Sequence, residues 1–152
     1  MFLEDHTATM TVLFVGLLAI YLAGILLPPC FPGRPRIQNL VAHGLAIGAS
    51  LVGIVLGLAG LLAPEPWTAS AESTIPFLRF AIRLDPLASF FVLTISVVGL
   101  AASIFALGYV AEFYGRSSLA AMGSLFNGFL LAMMLVVMAD NGFFFLIVWE
   151  LM

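Results

Sequence analysis

Four long apolar runs, separated by short polar breaks, set the architecture that this chain predicts. The first covers about 8–27 and ends at Pro28-Pro29, where a Pro-rich stretch through Arg36 cannot stay helical throughout. The second covers 37–62, the third 86–107 and the fourth 119–139. Each is long enough to cross a ~30 Å hydrocarbon core, which takes about 20 helical residues. A fifth apolar run opens at 142, after the turn signal Asp140-Asn141-Gly142, and reaches 152. Between the second and third runs, 63–76 is polar and carries Trp67, a side chain expected at the membrane interface. From Arg79 to Asp85 the period changes: Phe80, Ile82 and Leu84 alternate with Arg79, Ala81, Arg83 and Asp85. Period two predicts a short strand at the membrane surface, half of a hairpin. Pro86 then fits the first turn of a helix whose N-cap is Asp85. The expected fold is all-α integral membrane, with about five transmembrane helices, the fifth incomplete, and a short surface strand or hairpin between helices 2 and 3. Residues 1–85 form a lead-in region with the first two helices and the polar loop; 86–152 hold the third and fourth helices and the start of the fifth.

Composition removes whole classes of function. The chain is 63% hydrophobic and 9% charged, with a mean hydropathy of +1.20, whereas a soluble domain is ~25% charged. No soluble core of this size could hide so much apolar surface. The five basic residues are all Arg (34, 36, 79, 83 and 116), and the net charge is −3. Without a basic patch, nucleic acid is not an expected partner. Cys30 stands alone, which rules out an intrachain disulfide and leaves thiolate ligation of iron–sulfur or zinc short of ligands. His6 and His43 are too few and too far apart for a metal or haem site. No cofactor is expected in this chain, so the electrons of any redox machine would travel elsewhere. Arg34, Arg36 and Arg116 against Arg79 and Arg83 place the N-terminus outside by the positive-inside rule, in a multi-pass protein of the plasma or inner membrane. The acidic N-terminus and long first apolar run, with no Ala-x-Ala site preceding a soluble domain, predict a retained helix and not a cleaved signal.

Few polar residues interrupt the apolar runs, and each is a candidate. Glu150 is the one acid well inside such a run, next to Trp149. A charge at the bilayer centre costs roughly 2.5–3.5 kcal/mol, so function is the default reading. Asn127, inside the fourth run, needs a hydrogen-bond partner and reads as polar support between helices. Ser89, Ser96 and Ser103 recur every seven residues and predict a small, polar packing stripe; Gly44-xxx-Gly48 and Gly53-xxx-Gly57 predict close helix approach. His43 could relay protons, but a neutral side chain hydrogen-bonded near the interface is the simpler reading. At ~1.5 Å per residue, the run from Gly142 to Met152 reaches roughly 16 Å, about half of the hydrocarbon core. The fifth helix is therefore expected to continue past Met152, in a longer protein.

Two stretches carry a resemblance. The first is Arg83-Leu84-Asp85-Pro86-Leu87-Ala88-Ser89-Phe90-Phe91, followed by Leu107-Gly108-Tyr109. The second is Met138-Ala139-Asp140-Asn141 with Trp149-Glu150-Leu151-Met152, preceded by Ala121-Met122-Gly123. Over about 80–152 this order resembles the front part of the antiporter-like membrane subunits of complex I and group 4 hydrogenases, especially the hydrogenase-4 and formate hydrogenlyase members. The resemblance implies about fourteen helices, three peripheral ones preceding two inverted five-helix repeats. It implies a Glu on the fifth helix, at the position of Glu150, paired with a Lys on a later helix; this chain has no Lys. The implied function is that of a membrane subunit of a proton-translocating hydrogenase or NADH–quinone oxidoreductase-type complex. It would relay protons through a buried Glu150 and hold no redox centre of its own. Implied partners are other membrane subunits, redox subunits carrying iron–sulfur clusters, the lipid bilayer, and protons with sodium as the alternative ion. A multisubunit cation/proton antiporter subunit and a structural fragment without transport are the alternative readings.

Overall fold

The computed structural model describes residues 2–72, 74 and 79–152, with side chains from His6 onward except Glu72. Ser73 and 75–76 of the expected polar loop, and 77–78 after it, lie outside the described residues. Five helices follow in order: α1 (Phe2–Leu26), α2 (Pro35–Leu62), α3 (Pro86–Tyr109), α4 (Leu119–Met138) and α5 (Gly142–Glu150). The first four are long and apolar enough to cross a membrane; α5 has nine residues. This is the expected all-α membrane fold. The boundaries follow local chemistry. Pro28 starts a 3-10 turn that ends α1, and Pro35 opens α2, where its missing N–H is no loss. Asp85 Oδ1 accepts from Ala88 N at 2.8 Å, Ser118 Oγ from Ala121 N at 3.4 Å, and Asn141 Oδ1 from Phe144 N at 3.0 Å, so α3, α4 and α5 all begin on side-chain caps. Helix α1 starts before the expected residue 8, because helical hydrogen bonding continues through the polar residues ahead of the apolar run. Helix α5 stops at Glu150, not at 152.

Helix α2 is central, packing on α1, α3 and α4. Its contact with α3 is the closest. Gly53, Gly57 and Gly60 line one face of α2 and meet Ser96, Leu93 and Ser89 of α3. A Cβ built on Gly57 would lie 2.9 Å from the Leu93 backbone nitrogen, so only a hydrogen fits there. Lipid offers little hydrophobic drive between helices, and this close backbone approach supplies van der Waals contact instead. The Gly44-Gly48 pair does not act in this way: nothing approaches Gly44, and Gly48 meets only the end of Ile20 at 3.9 Å. The core runs from Met10, Phe14, Leu17 and Tyr21 of α1, through Leu56 and Val92, to Leu130, Met134 and Met138 of α4.

The expected half hairpin is whole. Strand β1 (Trp67–Glu72) pairs antiparallel with β2 (Arg79–Leu84), Trp67 opposite Leu84 and Glu72 opposite Arg79. Sequence reading treated β1 as part of a polar loop, since Thr68, Ser70 and Ala71 give it little apolar contrast. It also placed Trp67 at the interface. Trp67 is 5% exposed, its ring 5.3 Å from that of Phe14. The closed end of the bundle is plugged by Trp67 and Leu84. The other edge of β2 is tied to the α4–α5 turn: Ile82 bridges Ala139, and Asp140 N donates to Ala81 O at 2.8 Å. That tie explains why Ala81, on the expected polar side of the strand, is buried. Phe80, on the expected inner side, is exposed and meets only the edge of Phe144.

Candidate functional site

Helix α5 presents two unlike faces. Phe144 and Val148, four residues apart, are buried and pack with Ala132 of α4. At 3.6 residues per turn, Glu150 lies roughly 200° around the helix from Val148. It is therefore exposed, beside Trp149 at 52% and Leu151 at 73% exposure. The expectation of a buried Glu150 is thus corrected for this chain: the buried face of α5 is set by the i, i+4 pair, and the carboxylate falls opposite. Counting from Gly142, Glu150 stands roughly 12 Å along the helix, toward the middle of a ~30 Å core. Asn127, Ser96 and Ser103 lie elsewhere, buried in the bundle, and Trp149 is its exposed neighbour on α5.

The remaining candidates lie inside the four-helix bundle. Asn127 is fully buried, and its Nδ2 donates to Ala42 O at 3.0 Å and to Gly123 O at 2.9 Å, joining α4 to α2. A Cβ on Gly24 would collide with the Asn127 carboxamide, so α1 also closes around it. Ser96 and Ser103 are fully buried, but each hydroxyl donates to its own helix, to Val92 O and Gly99 O, both at 2.6 Å. Ser89 does the same with Asp85 O at 2.7 Å. The stripe faces other helices without passing hydrogen bonds to them. His43 is buried, its Nδ1 3.1 Å from Asn39 O and its ring 5.4 Å from that of Phe126. That geometry matches the simpler reading of His43.

Sequence reading missed three buried polar side chains. Asn39 Nδ2 donates to Leu107 O and to Tyr114 Oη, both at 3.0 Å, and so locks the start of α2 to the α3–α4 connection. Tyr21 and Ser50 are buried beside one another between α1 and α2. Asn39 was legible in principle, as a carboxamide inside an apolar helix like Asn127; Tyr21 gave no signal beyond its hydroxyl. Among the described residues, no group of three His, Cys, Asp or Glu side chains is placed to hold a metal ion.

A bundle of four membrane-length helices, pinned at one end by a hairpin and tied across helices by the carboxamides of Asn39 and Asn127, defines an α-helical integral membrane protein. No family model matches the chain. It is 30% identical over 144 residues to hydrogenase-4 component B of Escherichia coli (strain K12), a match that takes in 92% of this chain and 19% of that relative. The similarity therefore extends over most of this chain. The chain spans about a fifth of the length of the curated relative it matches.

Proposed function

We propose that this chain is part of a proton-translocating membrane subunit of a hydrogenase-type or NADH–quinone oxidoreductase-type complex, in which Glu150 takes up and releases protons. The observation that carries the reading is the position of that carboxylate: outward on α5, roughly 12 Å along this short apolar helix. A charge facing acyl chains at this depth is costly, so the outward face of α5 calls for a protein neighbour in the assembly. Enclosure favours a protonated carboxyl, and a nearby ammonium favours the carboxylate. A neighbour that moves such a cation toward and away from Glu150 would switch it between releasing and holding a proton. This chain has no Lys, so the cation has to come from outside its 152 residues. Redox subunits carrying iron–sulfur clusters would supply the driving force. In the plasma or inner membrane, with the N-terminus outside, Arg34, Arg36 and Arg116 face the cytoplasm.

The test is redox-driven proton uptake by the complete complex in proteoliposomes. Glu150→Gln, which keeps size but cannot ionise, should lower uptake by roughly tenfold or more, while Glu150→Asp keeps part of it. Unchanged pumping in Glu150→Gln overturns the role. Sodium-dependent proton exchange without redox substrate would replace it with the cation/proton exchanger reading.

A further inference from the structure

A second feature lies at the other end of α5, where β2, the start of α3 and the α4–α5 turn meet. They enclose a cleft of about 310 Å³ that holds three charged side chains, Arg83, Asp85 and Asp140. Backbone contacts fix all three. Arg83 is on the paired strand β2, Asp85 caps α3, and Asp140 N is bonded to Ala81 O. Arg83 Nε is 3.9 Å from Asp85 Oδ2, a loose pairing that leaves the guanidinium without a hydrogen bond among the described residues. The two side chains are 48% and 37% exposed. The Asp140 side chain is exposed and has no partner among the described residues.

Below these charges the wall turns apolar. Leu87 and Phe91 of α3 and Phe145 of α5 line the cleft and are themselves exposed, at 66%, 44% and 40%. Helix α3 begins at Pro86 and α4 ends at Met138, so this end of the bundle is where membrane helices meet the interface. Charge above and exposed hydrocarbon below is the profile of a phospholipid: headgroup at the interface, acyl chain along a helix groove.

The charges select among headgroups. One guanidinium and two carboxylates sum to −1, so a purely anionic headgroup meets net repulsion. A headgroup that brings both a phosphate and a cation matches the set. Its phosphate can accept from the Arg83 guanidinium, a charge-assisted geometry that arginine favours. Its cation can meet Asp140. A primary ammonium has three N–H donors for the carboxylate, whereas a quaternary ammonium has none. We propose that this cleft binds a phosphatidylethanolamine-type lipid, its phosphate on Arg83, its ammonium on Asp140 and one acyl chain against Leu87, Phe91 and Phe145.

The test is native mass spectrometry of the complete protein released from nanodiscs of phosphatidylethanolamine, phosphatidylglycerol and phosphatidylcholine in equal parts. The wild type should retain phosphatidylethanolamine preferentially. Arg83→Gln and Asp140→Asn should each lower that retention by roughly two- to fivefold, the range of one exposed ion pair, while Arg116→Gln at the opposite end leaves it unchanged. Thermal stabilisation by added phosphatidylethanolamine, measured on the same variants, separates lost binding from lost folding. Equal retention of all three lipids, stronger retention of phosphatidylglycerol, or full phosphatidylethanolamine retention in both variants would overturn the proposal. So would a segment of a partner protein seated in the cleft of the assembled complex.

Discussion

The seam between α2 and α3 and the outward face of α5 handle polar groups in opposite ways. In the seam, every serine hydroxyl of α3 closes onto a carbonyl of its own helix, and glycines on α2 let the backbones touch. Those three hydroxyls call for no partner outside α3. On α5, a carboxylate and a tryptophan project away from the bundle that this chain builds. Polar chemistry that is self-contained supports a fold; polar chemistry left facing outward is where an assembly or a transport role has to be sought.

Substitutions at three positions in the bundle sharpen that contrast by grading what the self-contained half depends on. The largest effect is expected for Gly57→Leu. The atoms it would strike belong to the Leu93 backbone, which cannot rotate aside. Overpacking typically costs about 1–3 kcal/mol, and a clash with fixed backbone belongs at the upper end, read as loss of monodisperse protein or a large drop in thermal midpoint. Asn127→Ala should be intermediate. It removes one bond across helices and one within α4, and a buried interhelical hydrogen bond in membranes averages ~0.6 kcal/mol. With the small cavity added, about 1–2 kcal/mol of destabilisation is expected by thermal or denaturant unfolding in detergent. Ser96→Ala should be the mildest, within about 0.5 kcal/mol of wild type, because the hydroxyl serves only its own helix. A Ser96→Ala variant as damaged as Asn127→Ala would break the distinction between a packing stripe and a polar tie.

Much of this fold was legible in the sequence because membrane helices announce themselves by apolar length alone. The cap Asp85 was legible for the same reason, whereas Asn141, which reads as a turn residue, also caps α5. What escaped was relational. β1 lacks apolar contrast, and its pairing with β2 depends on a partner strand that sequence patterning does not name. The burial of Trp67 depends on Phe14, more than fifty residues earlier. Two glycine pairs with the same spacing gave the same signal, yet Gly53 and Gly57 meet α3 while Gly44 meets nothing. For Glu150, position within an apolar run was readable, but the face it takes on α5 was not. Which side a helix buries is decided by Phe144, Val148 and Ala132 together.

Proton transfer through Glu150 requires its carboxylate to be enclosed by protein in the complete assembly. The direct measurement is a side-chain-resolution structure of the assembled complex in lipid. The prediction is that Glu150 packs against a neighbouring helix, with an ammonium within about 6 Å, the range over which opposite charges control a carboxyl's protonation. A Glu150 side chain facing acyl chains or open water in that structure would contradict it.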